Sequence, residues 1–405
     1  MKRLLLLLLV LLVAPGAWPQ QPTVSYLAVR TRDGAVLAEQ ESDRLLVPAS
    51  SLKLLTAARA LSMEPFQTTV WASEPLQGGV LRGSLILKGG GDPTLTRQNL
   101  AQLARALHRQ GLRRVEGPLE VDAGLDLGLP YGPGWAWEDA PEPFQPLVCG
   151  LTVDGGLVRL EEAELAGLTI EREPGEELSV LRLPGRPVTL VRGPAPSDLE
   201  LTVVEPDLWA GTLLRSALQD CEIEVGPVLR GRARGERLAT HRSGPVREIL
   251  RTALATSDNL VFEMLHRQLP APEVAGRVVD GCGLSRYNLV TARTLVEILR
   301  RQPELCDLLP CPGDPGTMSR RFADSPLKFA VRAKTGTLGG VSALAGVLYP
   351  GQENEVCFAL LTNGSLDLKA TKIWEEQFLE TLAYQRGSSA RMRVAPSSSR
   401  GGANR

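Results

Sequence analysis

Three short motifs bring together residue types that can form an acylated serine without the help of a histidine. In chain order they are Ser50-Ser51-Leu52-Lys53, Ser257-Asp258-Asn259 and Lys334-Thr335-Gly336. A serine hydroxyl attacks an amide only when a base accepts its proton. Residues three apart lie on the same face of a helix, so a helix at Ser50 would let the amine of Lys53 reach its hydroxyl. The ordered trio therefore predicts acyl transfer through a serine nucleophile.

A second string of the first type, Ser325-Pro326-Leu327-Lys328, shows that one such match alone is weak. It is followed by Phe329-Ala330-Val331, which is typical of extended chain. Ser50 is instead followed by apolar residues at helical spacing, namely Leu52, Leu54, Leu55, Ala58 and Leu61. We therefore place the nucleophile at Ser50, on a helix over about residues 50–63.

The predicted base, Lys53, works only in its neutral form. Its pKa must then lie well below the ordinary lysine value of about 10.4. Burial and the nearby positive charge of Lys334 are the two effects expected to lower this pKa.

The remaining motif residues are assigned to proton relay and substrate binding. Ser257 would pass the proton to the leaving amine, and Asn259 would hold a substrate backbone amide. The backbone N–H groups of Ser50 and Thr337 are the expected oxyanion donors. The predicted catalytic residues are Ser50, Lys53, Ser257, Asn259 and Lys334, and the predicted substrate-binding residues are Thr335, Gly336 and Thr337.

Composition excludes several other classes of function. The chain has 405 residues, of which 43% are hydrophobic and 22% charged, as in an ordinary globular protein of two or three domains. A net charge of −1 and the lack of a basic cluster disfavour nucleic-acid binding. There is no C-x-x-C pair, and the histidines lie far apart at His108, His241 and His266. We therefore predict no metal and no cofactor, and we discount a histidine-based triad.

The N-terminus has the pattern of a secretory signal. Met1-Lys2-Arg3 precedes an apolar run from Leu4 to Val13, which is too short to span a bilayer comfortably. We assign residues 1–21 to a signal peptide, with an uncleaved anchor as the alternative. The protein is thus expected to be exported, either periplasmic or otherwise extracytoplasmic. Peripheral membrane association and oligomeric state stay open.

Six cysteines in an exported chain permit disulfides without specifying them. Cys306 and Cys311 are close enough in sequence to close a small loop, so we favour that pair. Cys357 lies in a strand-like run and reads as a small buried hydrophobe.

The elements around the motifs suggest a catalytic unit interrupted by an insertion. Asp33-Gly34 between alternating apolar runs predicts a hairpin, and residues 246–255 predict a helix that leads into Ser257. Strands are predicted over 341–348 and 356–361, followed by an amphipathic helix over 366–386. The predicted division is 22–64 for the first part of the catalytic domain, 65–242 for an inserted β-rich region, 243–386 for the second part, and 387–405 for a disordered tail.

From about residue 24 to 384 the chain resembles the D-alanyl-D-alanine carboxypeptidase/endopeptidase family, the class C low-molecular-mass penicillin-binding proteins. The resemblance implies an α/β (α+β) fold of the penicillin-binding, β-lactamase-like type, with a central antiparallel sheet flanked by helices and a large insertion. It also implies exported enzymes that cut peptidoglycan stem peptides or cross-links and are acylated by β-lactams. The motifs that carry it are Pro48 to Lys53, Gly91 to Leu95, Ser257 to Asn259, Asp280 to Ser285, Gly316 to Met318 and Ala333 to Thr337.

Two features depart from that family. Cys282 stands where the family usually has serine, and the chain is short, which leaves endopeptidase action open. The alternatives are a β-lactamase-like hydrolase and a catalytically idle wall-binding protein of the same fold. The first would carry an E-x-x-L-N string within residues 260–333, where none is found, and the second would be favoured by loss of Ser50, Lys53 or Lys334.

Overall fold

The computed structural model describes residues 21–166, 168–182 and 188–391. The first twenty residues of the predicted signal peptide and residues 392–405 of the predicted tail lie outside this range. The strands are β1 Thr23–Arg30, β2 Val36–Gln40, β3 Gln67–Ala72, β4 Val80–Leu81, β5 Leu85–Lys88, β6 Arg114–Val115, β7 Leu119–Asp122, β8 Leu157–Arg159, β9 Ile170–Glu173, β10 Ser179–Arg182, β11 Thr189–Arg192, β12 Glu200–Thr202, β13 Val228–Arg230, β14 Glu236–Arg242, β15 Gly276–Arg277, β16 Leu289–Val290, β17 Val331–Leu338, β18 Val341–Leu348 and β19 Val356–Asn363. The helices are α1 Lys53–Ala60, α2 Arg97–Arg109, α3 Leu160–Leu165, α4 Pro206–Gln219, α5 Val246–Thr256, α6 Asn259–Arg267, α7 Ala292–Arg301, α8 Pro303–Cys306 and α9 Leu368–Arg391, with 3-10 turns at Ala49–Leu52 and Asp154–Gly156.

The central sheet joins the two ends of the chain. Its five strands lie in the order β17-β18-β19-β1-β2, and every neighbouring pair is antiparallel. The predicted hairpins β1-β2 and β18-β19 are both present. This arrangement confirms the predicted fold class, and it leaves β17, which carries Lys334, on an open edge of the sheet.

Each face of the central sheet is covered by helices because its strands alternate apolar side chains between the two faces. Leu27, Ala345 and Ala359 belong to a core shared with α1, α5 and α7. Ala28, Leu344 and Phe358 belong to the core on the opposite side, with Leu379 and Leu382 of α9. The nucleophile helix is thus packed into the larger of these two cores.

A second five-stranded sheet is built from residues of the predicted insertion. Its order is β13-β7-β5-β3-β14, and α2 and α4 contribute to its separate apolar core. The chain enters through β3 and returns through β14, and the two crossings are joined where the N–H of Phe66 donates to Oγ of Ser243 at 3.0 Å. A small sheet, β10-β11-β9, lies beside a further apolar cluster around Trp209. We retain the division at 65–242 as a proposal that this separate core supports.

Two expectations are corrected by the structure. All six cysteines are free thiols, so the Cys306–Cys311 pairing is wrong. Cys306 is buried at the end of α8 with its Sγ 3.5 Å from the carbonyl oxygen of Leu299, so it points into the core rather than toward the loop of Cys311. Helix α9 continues to Arg391, five residues into the predicted tail. A helix that has already formed on the sheet gains one hydrogen bond per added residue, which explains the extension.

Candidate active site

The predicted nucleophile lies in a 3-10 turn rather than in the α-helix. Ala49–Leu52 form this turn, and Lys53 is the first residue of α1. Side chains at positions i and i+3 eclipse one another in a 3-10 turn, which places them closer than in an α-helix. The turn is fixed by Ser51, whose Oγ donates to the carbonyl of Pro48 at 2.8 Å. Ser50 is half-buried, with its side chain facing Lys53.

Lys53 is fully buried and has three oxygen neighbours. Its Nζ lies 3.0 Å from Oγ of Ser50, 2.7 Å from Oδ1 of Asn259 and 2.6 Å from the carbonyl oxygen of Cys282. Burial lowers the pKa of Lys53, while the negative charge of Asp280 acts in the opposite direction. The structure therefore brings Asn259 to Lys53 across 206 residues of sequence.

The second motif forms a corner between two helices. Helix α5 ends at Thr256, and Ser257 adopts a left-handed conformation with φ 62° that turns the chain. Asp258 then caps α6, and its side chain accepts from the N–H of Val261 at 3.0 Å. Asn259 is consequently the first residue of α6 and points toward Lys53. A non-glycine residue held at positive φ is the kind of local strain that concentrates at functional sites.

The third motif supplies a second buried lysine from the edge strand β17. Nζ of Lys334 donates to Oγ of Ser257 at 2.9 Å and to the carbonyl of Thr335 at 2.9 Å. Lys334 is fully buried, and both this burial and the nearby charge of Lys53 hold the pKa of Lys334 well below its usual range. Repulsion between the two lysines, expected from the sequence, is mutual, and burial is the largest effect on the pKa of each.

Gly336 allows β17 to approach the nucleophile turn. A Cβ at this position would lie 2.8 Å from the carbonyl oxygen of Pro48 and 3.0 Å from the N atom of Ser50. Thr335 is buried and Thr337 is exposed, so the strand passes from core to cleft at this glycine. Since β17 is an edge strand, its outward N–H groups do not pair with β18. The backbone N–H of Thr337 stays a predicted oxyanion donor.

The loop from Asp280 to Ser285 closes the floor of the site. Asp280 is fully buried. Gly283 has φ +86° and leaves no space for a side chain, because a Cβ there would lie 2.0 Å from the carbonyl oxygen of Ala49. The carbonyl of Gly281 accepts from Oγ1 of Thr56 in α1 at 2.8 Å. The loop is thereby locked against α1 and the nucleophile turn, and this fixes the Cys282 carbonyl beside Lys53.

Glu263, Asp280 and Cys282 could in principle offer ligands to a metal, since their donor atoms lie within 4.8 Å of one another. Both carboxylates are already committed to protein donors. Glu263 accepts from Arg267 and from the N–H of Gly281, each at 2.7 Å. Burial raises the pKa of the Cys282 thiol well above its usual range, which disfavours a thiolate ligand. We therefore interpret Glu263, Asp280 and Cys282 as part of the hydrogen-bonded floor of the site.

One wall of the site is a long irregular segment between β7 and the second 3-10 turn, residues 123–153, which we call the wall segment. The carbonyl of its Phe144 accepts from Nδ2 of Asn259 at 2.8 Å, and Nε1 of its Trp135 donates to Oδ2 of Asp280 at 2.9 Å. The sequence analysis did not single out either residue. The available signal was a long Gly/Pro-rich stretch with several aromatic residues and no periodicity, which is a pattern typical of functional loops.

The second S-x-x-K string lies elsewhere. Ser325 is in a turn, and its Oγ donates to Oε1 of Glu380 in α9 at 2.5 Å. Lys328 lies over the ring of Phe329 rather than beside Ser325. Local context therefore separates the two strings correctly.

Comparison with known proteins places most of the chain in one family. The model of the D-Ala-D-Ala carboxypeptidase 3 (S13) family matches residues 19–276 and 274–384. The chain is 26% identical to the D-alanyl-D-alanine carboxypeptidase DacB of Haemophilus influenzae, over 85% of this chain and 86% of that protein. It is 30% identical to a D-alanyl-D-alanine carboxypeptidase of Actinomadura sp. (strain R39), over 84% of this chain and 77% of that protein.

Among solved structures, the fold is similar to that of penicillin binding protein 4 (dacB) from Haemophilus influenzae. The TM-score is 0.75 at 24% identity, covering 87% of this chain and 93% of that one. At this identity the match concerns the fold alone.

Proposed function

The chain belongs to the D-Ala-D-Ala carboxypeptidase 3 (S13) family, and we propose that it is an exported, penicillin-sensitive D-alanyl-D-alanine carboxypeptidase that works through an acyl-enzyme on Ser50. Family membership confirms the resemblance predicted from the motifs. Activity and sensitivity are supported by the names of the similar proteins, two of which are called D-alanyl-D-alanine carboxypeptidases and one a penicillin binding protein.

The observation that carries this proposal is the hydrogen-bond pattern of Lys53. A neutral amine has two N–H donors and one lone pair. Oδ1 of Asn259 and the carbonyl of Cys282 can only accept, so they occupy the two N–H groups. The lone pair is then left for the third neighbour, the hydroxyl of Ser50. Burial favours the neutral amine by lowering the pKa of Lys53. This geometry supports Lys53 as the general base.

Ser257 and Lys334 support a path for the proton to the leaving group. Lys334 donates to Oγ of Ser257, which leaves the Ser257 hydroxyl hydrogen free to point toward the cleft. In the proposed reaction, Oγ of Ser50 bonds to the carbonyl carbon of the penultimate D-alanine as its proton passes to Lys53. The C–N bond then breaks, the terminal D-alanine leaves as an amine with a proton delivered through Ser257, and water hydrolyses the ester.

The substrate-binding roles follow from the same edge of the site. Thr335, Gly336 and Thr337 follow Lys334 along β17, and we propose that they hold the terminal carboxylate of the substrate together with Lys334. The proposed substrates are peptidoglycan stem peptides or cross-links, and β-lactams are the proposed covalent inhibitors. Location outside the cytoplasm rests on the predicted signal peptide and on the family.

None of the described helices has both the length and the apolarity needed to cross a bilayer.

The direct test uses a synthetic stem peptide that ends in D-Ala-D-Ala and a cross-linked muropeptide. We expect the wild-type enzyme to release free D-alanine from the first, and Ser50→Ala to lose at least about a thousandfold in rate. Splitting of the cross-link would add endopeptidase action. Release of D-alanine at equal rates by both proteins would contradict the proposal.

The two alternative functions predict different results with benzylpenicillin and muropeptides. A β-lactamase-like hydrolase would turn over benzylpenicillin without accumulating an adduct, whereas a wall-binding protein would bind muropeptides and react with neither compound. Lys53 is hydrogen-bonded to Ser50, and Lys334 to Ser257, which argues against the second alternative.

A further inference from the structure

The wall segment, residues 123–153, reaches both of the acceptor groups that occupy the N–H donors of Lys53. One acceptor is Oδ1 of Asn259, whose amide is held from behind by the carbonyl of Phe144. The other is the carbonyl of Cys282, in a loop tied to Trp135 through Asp280. These contacts come from a different part of the chain than the three catalytic motifs.

The Phe144 carbonyl decides which way the amide of Asn259 faces. A carbonyl oxygen can only accept, so Nδ2 of Asn259 must face Phe144. Oδ1 is then directed at Lys53, as observed at 2.7 Å. If the segment moved away, the amide could turn over, and Nδ2 would present N–H donors to Lys53. The lone pair of Lys53 would then have two competing donors, and Ser50 would lose its dedicated base.

Asp280 transmits the second contact. Its Oδ1 accepts from the N–H of Gly283 and from Nδ2 of Asn288, at 2.7 and 2.8 Å. Its Oδ2 accepts from the N–H of Ser285 at 2.7 Å and from Nε1 of Trp135 at 2.9 Å. Two of these donors, Gly283 and Ser285, belong to the same loop, Asn288 follows it in the chain, and Trp135 comes from the wall segment. Trp135 therefore completes the hydrogen bonding of the buried Asp280 carboxylate. Loss of the Trp135 N–H would leave this charged acceptor partly unpaired.

The wall segment is docked on α6 at points away from Lys53 as well. Nη1 of Arg267 donates to the carbonyl of Leu127 at 2.9 Å. Val148 of the segment joins Leu260 and Met264 of α6 in a small apolar cluster, against which Leu127 and Trp135 pack. The wall segment thus contacts both α6 and the Asp280 loop.

We propose that the wall segment sets the orientation and basicity of Lys53, with Trp135 and the Phe144 main chain as positioning residues, so that Ser50 is activated only when this segment is docked. This inference rests on the proposed role of Lys53 as the base.

The expected signature is a change in pH dependence, because several charged groups surround Lys53. The carboxylates of Asp258 before α6, Glu263 on α6 and Asp280 in the floor loop favour its charged form. The Cys282 thiol also faces Lys53, and Lys334 on β17 carries the like charge with which Lys53 interacts. The largest effect on the pKa of Lys53 is burial, which lowers it. Loosening the wall segment would admit water and weaken this effect, so the pKa of Lys53 would rise toward its ordinary value.

The test compares Trp135→Phe with Trp137→Phe. Both remove an indole N–H from the same segment, but Trp137 is 46% exposed and its ring lies tilted against that of Tyr131. The rate of labelling by a fluorescent penicillin is measured between about pH 5 and 10. We expect Trp135→Phe to move the midpoint of the pH–rate profile upward by about one pH unit, with labelling about tenfold slower below the midpoint. Trp137→Phe should keep the wild-type midpoint.

If the wall segment only contacted the ligand, Trp135→Phe would slow labelling equally at every pH and leave the midpoint of the pH–rate profile unchanged. That result would overturn the inference. If the wild type itself is not labelled at any pH, the proposed function fails first. Should the melting curve show that Trp135→Phe does not fold, Leu127→Ala loosens the segment at its apolar contact instead. It should move the midpoint in the same direction, and an unmoved midpoint would equally overturn the inference.

Discussion

At the scale of single residues, the site rests on two buried lysines with different tasks. Lys53 contacts Ser50, and Lys334 contacts Ser257, so each hydroxyl has its own amine. Both amines are fully buried, and burial lowers the pKa of each. Burial in the fold therefore favours the neutral form of Lys53 that proton transfer requires.

Replacing Lys53 by arginine tests the requirement for a neutral base. A guanidinium keeps its positive charge at all accessible pH values and cannot accept a proton. We expect Lys53→Arg to lose at least about a hundredfold in the rate of penicillin acylation, a typical contribution of a general base. Lys328→Arg, in the second S-x-x-K string, is the matched control and should acylate like the wild type. Equal rates for the two variants would refute the role of Lys53.

Some residue-level features can be read from sequence because they are local, and others cannot. The spacing of Ser50 and Lys53 is a local property of a helical turn. The contact of Asn259 with Lys53 spans 206 residues and depends on how α1 and α6 pack. Trp135 lies in a segment without periodicity, so no pattern predicts its partner Asp280. The Cys306–Cys311 prediction failed because sequence proximity says nothing about the direction in which a buried thiol points.

At the scale of elements, the close approach of β17 to the nucleophile turn depends on Gly336. The Cβ of an alanine there would meet Pro48 O at 2.8 Å and Ser50 N at 3.0 Å, so the strand or the turn must move. We expect Gly336→Ala to destabilise the fold by about 1–3 kcal/mol and to slow acylation about a hundredfold through misplacement of Ser50.

Gly244→Ala is the control for this prediction, because a Cβ at Gly244 meets nothing within 4 Å. Melting curves and labelling rates of the two variants are compared with the wild type. Wild-type labelling by Gly336→Ala would show that the strand does not position the nucleophile.

The positions of helices and strands were largely predictable where the spacing of apolar residues and the turn-forming residues indicate the same element. The hairpin at Asp33-Gly34, the helix before Ser257 and the strands β18 and β19 all lie close to their expected positions. The start of the nucleophile helix differs because Ala49–Leu52 form a 3-10 turn. Such a turn shares the apolar spacing of an α-helix over so few residues, so sequence pattern does not separate them.

At the scale of the whole molecule, burying Lys53 and Lys334 links stability to pH. The pKa of Lys334 lies well below its ordinary value of 10.5 in the folded state. The unfolded chain therefore binds more protons between these two pKa values, so the free energy of unfolding rises with pH across that window. At pH values below the folded-state pKa of Lys334, the folded protein bears the full free-energy cost of burying a charged lysine.

We expect Lys334→Met to reduce this rise, because a methionine side chain has no proton to bind. The measurement is the free energy of unfolding by urea at several pH values from neutral to about 10.5. Lys369→Met, at an exposed position, should keep the wild-type slope. An unchanged slope in Lys334→Met would mean that the folded-state pKa of Lys334 is not lowered.

The measurement that tests the central claim most directly is the intact mass of the protein after exposure to benzylpenicillin, with peptide mapping of the adduct. For the wild type we predict a stable mass increase equal to one benzylpenicillin molecule, located on Ser50. Ser50→Ala, in the same conditions, should keep its unmodified mass. An adduct on any other residue, or an equal adduct on Ser50→Ala, would contradict Ser50 as the acylated nucleophile.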